Sequence, residues 1–368
     1  MTQERGAEQG FVSFRNVNKA YAALTVIRDL NLDVARGEFL TLLGPSGSGK
    51  TTSLMMLAGF EHPTSGTISL DGRVISNVPP HRRGIGVVFQ NYALFPHMSI
   101  LDNIKYPLRA RGMRSRDCTQ DAMRALAMVR LEALAHRTPA QLSGGQQQRV
   151  AVARALVFKP SLVLMDEPLG ALDKQLREQL QDEIKSIHRE TGVTVVYVTH
   201  DQSEALTMSD RVAVFDKGRI AQISTPAELY KSPLSSFVAS FLGESNLLDA
   251  ELLDGGPGGN TIRLADGSVR TVPGREIARP AAVQLLVRPE HLELSSPSQG
   301  EGYVALIRDF AYHGDHLRVK VFNPTLGTLI AKLQVGSTQD LPCIGGETLV
   351  HWRDSDSVVV RRVGDDEA

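Results

Sequence analysis

Phe39-Leu40-Thr41-Leu42-Leu43-Gly44-Pro45-Ser46-Gly47-Ser48-Gly49-Lys50-Thr51 is the stretch on which the architecture turns. Its first five residues form a compact apolar run, too short for a helix and ended by a glycine-rich turn, which reads as a buried strand. The next eight match GxxxxGK[ST], a loop whose glycines let backbone N–H groups point inward around phosphate oxygens. Residues 51–58 repeat at helical spacing, so the loop opens a helix whose positive N-terminal end faces the same phosphates. In that setting Lys50 bridges the β- and γ-phosphates of a nucleotide and the Thr51 hydroxyl holds Mg2+.

Short apolar strands recur at residues 84–89, 162–165 and 193–198, and the segment 174–191 between the last two is a helix charged on one face. Near-continuous apolar strands alternating with helices indicate a parallel sheet covered on both sides, an α/β nucleotide-binding core. Helical spacing also marks 117–134 and 146–156, the latter with small Ala151, Ala153 and Ala155. Residues 11–33 are β-rich, and 67–72 alternate and then turn like an edge hairpin. After Asn246 the composition changes: 255–259 reads as a flexible loop, Asp266-Gly267 as a hairpin turn, and short β-rich segments follow to Trp352. Their spacing predicts a small antiparallel barrel. The boundary between the two parts is expected near residues 240–246.

Composition narrows the function classes. With 42% hydrophobic and 22% charged residues over 368 positions, the chain is a folded protein of two or three domains. Forty Lys+Arg against 41 Asp+Glu leave a net charge of -1, so no overall positive field favours nucleic acid. Cys118 and Cys343 stand alone, without metal or redox spacing. The first residues lack the apolar core of a signal peptide, and no apolar run approaches the ~20 residues that span a bilayer. A membrane role is therefore expected only through partner chains.

Further groups gather around the nucleotide loop. Leu162-Val163-Leu164-Met165-Asp166-Glu167 is an apolar strand ending in two carboxylates, which puts Asp166 at the carboxyl edge of the sheet as a Mg2+ ligand and Glu167 where it can polarise a water. His200 ends the next strand, in Val198-Thr199-His200-Asp201, within reach of a γ-phosphate. Leu142-Ser143-Gly144-Gly145-Gln146 forms a second anion-binding helix start. One nucleotide does not need two such cradles, so the second is expected to serve a nucleotide held by another protomer.

These motifs together resemble the ATP-binding-cassette (ABC) transporter ATPases over residues 11–242. The resemblance implies an α/β P-loop NTPase fold, with a β-subdomain and a helical subdomain at about 91–160, in a nucleotide-binding domain at 10–243. It implies a C-terminal all-β, OB-like transport-associated (TOBE) domain at 244–368, where Val287-Arg288-Pro289-Glu290-His291 is similar to a turn near that domain's start. The implied ATP-binding residues are Gly44, Pro45, Ser46, Gly47, Ser48, Gly49, Lys50, Thr51 and Thr52, with Tyr21 stacking on adenine and Ser143, Gly145 and Gln146 acting in trans. Glu167 is the implied catalytic base, with His200, Lys50 and Gln90 completing the catalytic shell; Thr51, Gln90 and Asp166 hold Mg2+. The family's D-loop falls on Ala171-Leu172-Asp173.

The implied cofactors are ATP and Mg2+. The implied partners are a second copy of the chain through shared ATP sites, two transmembrane permease subunits and, indirectly, an extracytoplasmic solute-binding protein, at the cytoplasmic face of the membrane and with no nucleic acid. Asn91-Tyr92-Ala93-Leu94-Phe95-Pro96-His97-Met98 and Phe241-Leu242-Gly243-Glu244-Ser245-Asn246 look most like the spermidine/putrescine branch. Iron(III), sulfate and sugar importers stay open as alternatives. Non-transport relatives are disfavoured: the chain has one phosphate loop and no long heptad run.

Overall fold

The computed structural model describes residues 10–170, 172–277, 282–297, 302–334 and 343–362. The chain divides into two compact units, Met1–Pro226 and Ala227–Ala368. In the first unit the elements run β1 (Val12–Tyr21), β2 (Leu24–Val34), β3 (Phe39–Leu43), α1 (Lys50–Ala58), β4 (Ser65–Leu70), β5 (Arg73–Val74), β6 (Gly86–Val88), α2 (Ile100–Ala110), α3 (Ser115–Met128) and α4 (Gly144–Leu156). They continue with β7 (Leu162–Asp166), α5 (Lys174–Thr191), β8 (Thr194–Thr199), α6 (Gln202–Met208), β9 (Arg211–Asp216) and β10 (Arg219–Ser224).

The central sheet has the order β10-β9-β3-β8-β7-β6, parallel throughout except for the β9–β10 hairpin. Every residue of β3, β7 and β8 is buried, the expected cost of a strand covered on both faces. Register then aligns their ends: Leu43 pairs with Thr199, Asp166 with Val198, and Val88 with Met165. The residues that follow, Gly44, Glu167, His200 and Gln90, emerge together at one carboxyl edge, where ligands of such sheets bind. An antiparallel sheet, β2-β1-β4-β5, is separate from it. A further cluster that includes Ile104, Leu108, Leu126 and Val150 holds α2, α3 and α4 together.

Two local readings differ from expectation. The helix expected over 117–134 stops at Met128: Arg130 turns to φ 57°, the Leu131 N–H returns to the Leu126 carbonyl (3.0 Å), and Glu132–Leu134 is a 3-10 turn. The apolar periodicity ran on because Leu131 is buried in the same cluster. Helix α2 was not foreseen, since Pro107 interrupts its pattern; its signal was Ser99, whose side chain accepts from the Asp102 N–H and caps the start.

The second unit begins with α7 (Pro226–Lys231) and α8 (Ser236–Phe241), followed by β11 (Asn246–Gly256), β12 (Gly259–Leu264), β13 (Val269–Val272), β14 (Ala282–Val287), β15 (Glu293–Ser295), β16 (Tyr303–Tyr312), β17 (His316–Asn323), β18 (Gly327–Gln334), β19 (Glu347–His351) and β20 (Ser357–Arg361). These strands form two five-stranded antiparallel sheets, β13-β12-β11-β14-β20 and β15-β19-β16-β17-β18, over one core that includes Ile262, Leu285, Val287, Val319, Val321 and Trp352. The glycine run 255–259 is not a loosely structured loop: Gly256 pairs with Gly259, so the ladder continues to a two-residue turn. Side-chain-free backbone suits it, because a Cβ on Gly255 or Gly259 would strike the carbonyls of Ile277 or Val272.

The compact division lies at Pro226, upstream of the boundary expected at 243/244. Arg288 explains the difference. Its guanidinium, nearly fully buried, donates to the carbonyls of Ala239 (3.0 Å) and Tyr230 (3.0 Å) and to the Ser245 hydroxyl (2.7 Å), so the turn after β14 grips both short helices.

Candidate functional site

The loop after β3 is shaped around an interior that its own atoms do not fill. Gly49 caps α1 in the left-handed region (φ 102°), so the cap supplies no side-chain acceptor to the first helical N–H groups. Ser48 Oγ is buried without a partner among the described residues. Lys50, 4% exposed, turns its ammonium onto the carbonyls of Gly44 (2.7 Å) and Pro45 (2.9 Å). Burial pushes that ammonium below the ordinary lysine range, while the Glu167 and Asp166 carboxylates pull it back up. Free amide donors, an unpartnered hydroxyl and a desolvated cation fit a bound phosphate chain.

The carboxylates stand at the end of β7. Asp166 Oδ1 accepts from the Thr51 hydroxyl at 3.1 Å. Burial raises its carboxyl above the usual range and Glu167 adds repulsion, against the Thr51 hydrogen bond and the Lys50 charge. Among the described residues no three His, Cys, Asp or Glu side chains converge as metal ligands. Thr51 and Asp166 therefore offer two oxygens, and a hard cation there needs further oxygens from phosphate and water.

Glu167 adopts φ 43° and donates its N–H to the Val198 carbonyl (3.0 Å), locking its turn to β8. Its Oε1 lies 3.3 Å from His200 Nδ1, and its Oε2 accepts from Gln90 Nε2 at 3.3 Å. Gln90 is thus turned to Glu167; among the described residues no hydrogen bond joins it to Thr51 or Asp166. A carboxylate held between an imidazole and an amide, beside a cation-binding pair, can orient and deprotonate a water.

The remaining expected residues stand apart from this cluster. Tyr21 ends β1, 45% exposed, with the Lys19 ammonium 4.5 Å from its ring centre. Ser143 caps α4 in a reciprocal box: its Oγ accepts from Gln146 N–H (3.4 Å) and Gln146 Oε1 from Ser143 N–H (3.1 Å). A Cβ on Gly145 would lie 3.1 Å from Leu176, so this helix start sits against the first turn of α5. Ala171 lies outside the described residues. Asp173 caps α5 through the Leu176 N–H (3.0 Å). Sequence reading did not foresee the group behind His200, where Asp201 caps α6 and bonds Arg177; the available signal was Asp201-Gln202-Ser203-Glu204 directly after a strand.

The ABC transporter family model matches residues 27–170, and a TOBE domain model matches 285–360. The chain is 46% identical over 312 residues to the iron(III) import ATP-binding protein FbpC of Brucella abortus (strain 2308), covering 85% of this chain and 88% of that protein. It is 41% identical over 368 residues to the spermidine/putrescine import ATP-binding protein PotA of Haemophilus ducreyi, covering 97% and 98%. The chain belongs to the ABC transporter ATPases. Its order, cassette then TOBE domain, puts it with the import ATP-binding proteins, and the cassette binds and hydrolyses ATP. Solved ABC structures agree. A dimeric post-hydrolysis cassette bound to ADP and phosphate aligns with TM-score 0.53 at 34% identity, over 58% of this chain and 98% of that one. The cbiO1 protein of Clostridium perfringens, part of an ABC transporter complex, aligns with TM-score 0.57 at 27% identity, over 60% and 91%.

Proposed function

We propose that this ABC ATPase powers an importer as a homodimer that hydrolyses two ATP molecules at shared sites. The observation that carries the reading is Glu167, braced by Gln90 and His200 at the strand edge that also presents Thr51 and Asp166. Lys50 exchanges its loop carbonyls for the β- and γ-phosphates, Glu167 takes the proton of the attacking water, and His200 and Gln90 fix its direction. Thr51 and Asp166 would hold Mg2+, and the ion would supply positive charge beside the phosphates. Ser143, Gly145 and Gln146 of one copy face the nucleotide of the other, and two equal sites follow from two-fold symmetry.

The permease contact is proposed at a groove beside Gln90. A cavity of about 490 Å³ there is lined by Phe60, Phe89, Phe95, Tyr106, Arg111 and Phe158. Phe60 and Tyr106 are about half exposed, the apolar anchors a docked helix needs. Among the described residues no helix is long and apolar enough to cross a membrane. Docking on permease subunits is what brings the chain to the cytoplasmic face.

For the solute, iron(III) and polyamine are the two readings that the relatives support. Iron relatives are 45–47% identical over 85–87% of the chain, and polyamine relatives are 45% identical over 88% and 41% over 97%, so identity alone does not rank the two solutes. The sequence segments quoted above favoured polyamine. The test is uptake by the reconstituted importer in vesicles, with binding protein loaded with iron(III) or spermidine. Stimulated ATP hydrolysis and uptake with one solute identifies it; hydrolysis without uptake of either overturns both readings.

A further inference from the structure

Glu167 and His200 meet at 3.3 Å, yet neither is fixed by packing: their side chains are 21% and 57% exposed. Their alignment is only as good as the two loops that carry them. A side chain joins those loops. Arg177, in the first turn of α5, donates Nη2 to the Leu172 carbonyl at 3.0 Å and Nη1 to Asp201 Oδ2 at 2.8 Å, and its Nε lies 3.8 Å from Glu204 Oε1.

Leu172 closes the turn that leaves Glu167, where Gly170 N–H donates to the Glu167 carbonyl (3.2 Å) and Leu172 N–H to the Leu169 carbonyl (3.3 Å). Asp201 directly follows His200. Its N–H donates to Thr199 Oγ1 (3.0 Å), and its Oδ1 accepts from Ser203 N–H (2.8 Å) and Glu204 N–H (3.3 Å). The hydroxyls of Thr199 (2.6 Å) and Tyr197 (2.8 Å) both donate to Glu204 Oε2, so the histidine loop is tied down from below.

We infer that Arg177 is a positioning residue: its guanidinium fork holds the turn after Glu167 to the loop carrying His200, and so keeps base and histidine in one alignment. The inference rests on the catalytic roles proposed above for Glu167 and His200. A planar fork reaches two acceptors in fixed directions, which a lysine point charge does not reproduce. Leu172, just before α5, lies against Gly144, and Leu176, in its first turn, lies against Gly145, so a shift of the α4 start reaches the fork within one helical turn.

The test is steady-state ATP hydrolysis by the purified full-length chain carrying Arg177→Met, Arg177→Lys, Asp201→Asn or Arg177→Met with Asp201→Asn, beside Glu167→Gln. Asparagine keeps the α6 cap while removing the charge that faces Arg177. Arg177→Met and Asp201→Asn are expected to lower kcat about ten-fold or more, with KM for ATP within about two-fold. Arg177→Lys should recover only part of the loss, and the double variant should be no worse than the worse single one, because both break one link. Unchanged kcat in Asp201→Asn, a KM that rises as kcat falls, or losses that multiply in the double variant would overturn the inference. If Glu167→Gln turned over at the wild-type rate, the catalytic reading itself would fail; if Glu167→Gln were inactive and Arg177→Met fully active, only the link would.

Discussion

Two helix starts that the sequence marked as phosphate cradles, those of α1 and α4, are finished differently. At α1 the cap is a glycine with no side-chain bond, Ser48 Oγ has no partner among the described residues, and the Lys50 ammonium borrows two loop carbonyls. At α4 Ser143 and Gln146 close a reciprocal capping box. The first end holds back its hydrogen-bonding capacity for a ligand; the second spends part of it on its own fold. The α1 end therefore keeps donors free for a nucleotide, whereas under the shared-site proposal the α4 end would meet the nucleotide of a second copy.

The largest effect is expected at the first end. Glu167→Gln keeps shape and the Gln90 neighbour but removes the proton acceptor, and should cut phosphate release by about 100-fold or more while ATP still binds. Phosphate release read against fluorescent-nucleotide binding checks it; a wild-type rate would move the base elsewhere. Next, Lys50→Ala removes the buried cation, and nucleotide affinity should fall roughly 10- to 100-fold, the scale of a lost charged hydrogen bond. Equal affinity in titration calorimetry would mean that the lysine stays on its carbonyls with ligand bound.

At the second end the effect is smaller and of another kind. Ser143→Asp preserves the cap, since aspartate serves there as well as serine, but brings a negative charge to the helix start. Hydrolysis should drop about ten-fold while nucleotide binding to the separate chain stays the same. Reduced binding together with reduced hydrolysis would erase the distinction between the two ends.

Legibility in the sequence follows the same divide. Strands buried on both faces wrote themselves as apolar runs, and their parallel register carried Gly44, Glu167 and His200 to one edge; a motif at one strand end thus located the others. The signals failed where tertiary contacts decide. Helix α3 ended early because Arg130 could turn left-handed while Leu131 stayed buried, and periodicity does not register that exchange. The glycine run 255–259 read as a loop because the same residues serve a loop and a closely approached hairpin. Helices α7 and α8 went to the second unit through Arg288, a contact many residues away. Arg177 escaped for the same reason: an arginine on a charged helix face looks solvated until Asp201 is seen opposite it.

The subtlest difference between the two ends is electrostatic, and Asp166 exposes it. Burial, with help from Glu167, raises its folded-state carboxyl above the ordinary aspartate value. A raised carboxyl contributes stability that is complete below the unfolded value, near 3.8, and is lost as pH climbs through the folded one. Once Asp166 ionises, the nucleotide-free site carries a poorly solvated carboxylate at a stability cost. Asp166→Asn removes that dependence, so without nucleotide the variant should gain on wild type as pH rises from below 4 to 7 in parallel thermal melts. Adding ATP with Mg2+ should reverse the order at pH 7, because only the wild-type carboxylate recovers its cost from a cation. A variant that lost ground steadily with rising pH, with or without nucleotide, would mean that Thr51 and Lys50 already compensate the charge, and that the α1 end is as self-satisfied as the α4 end.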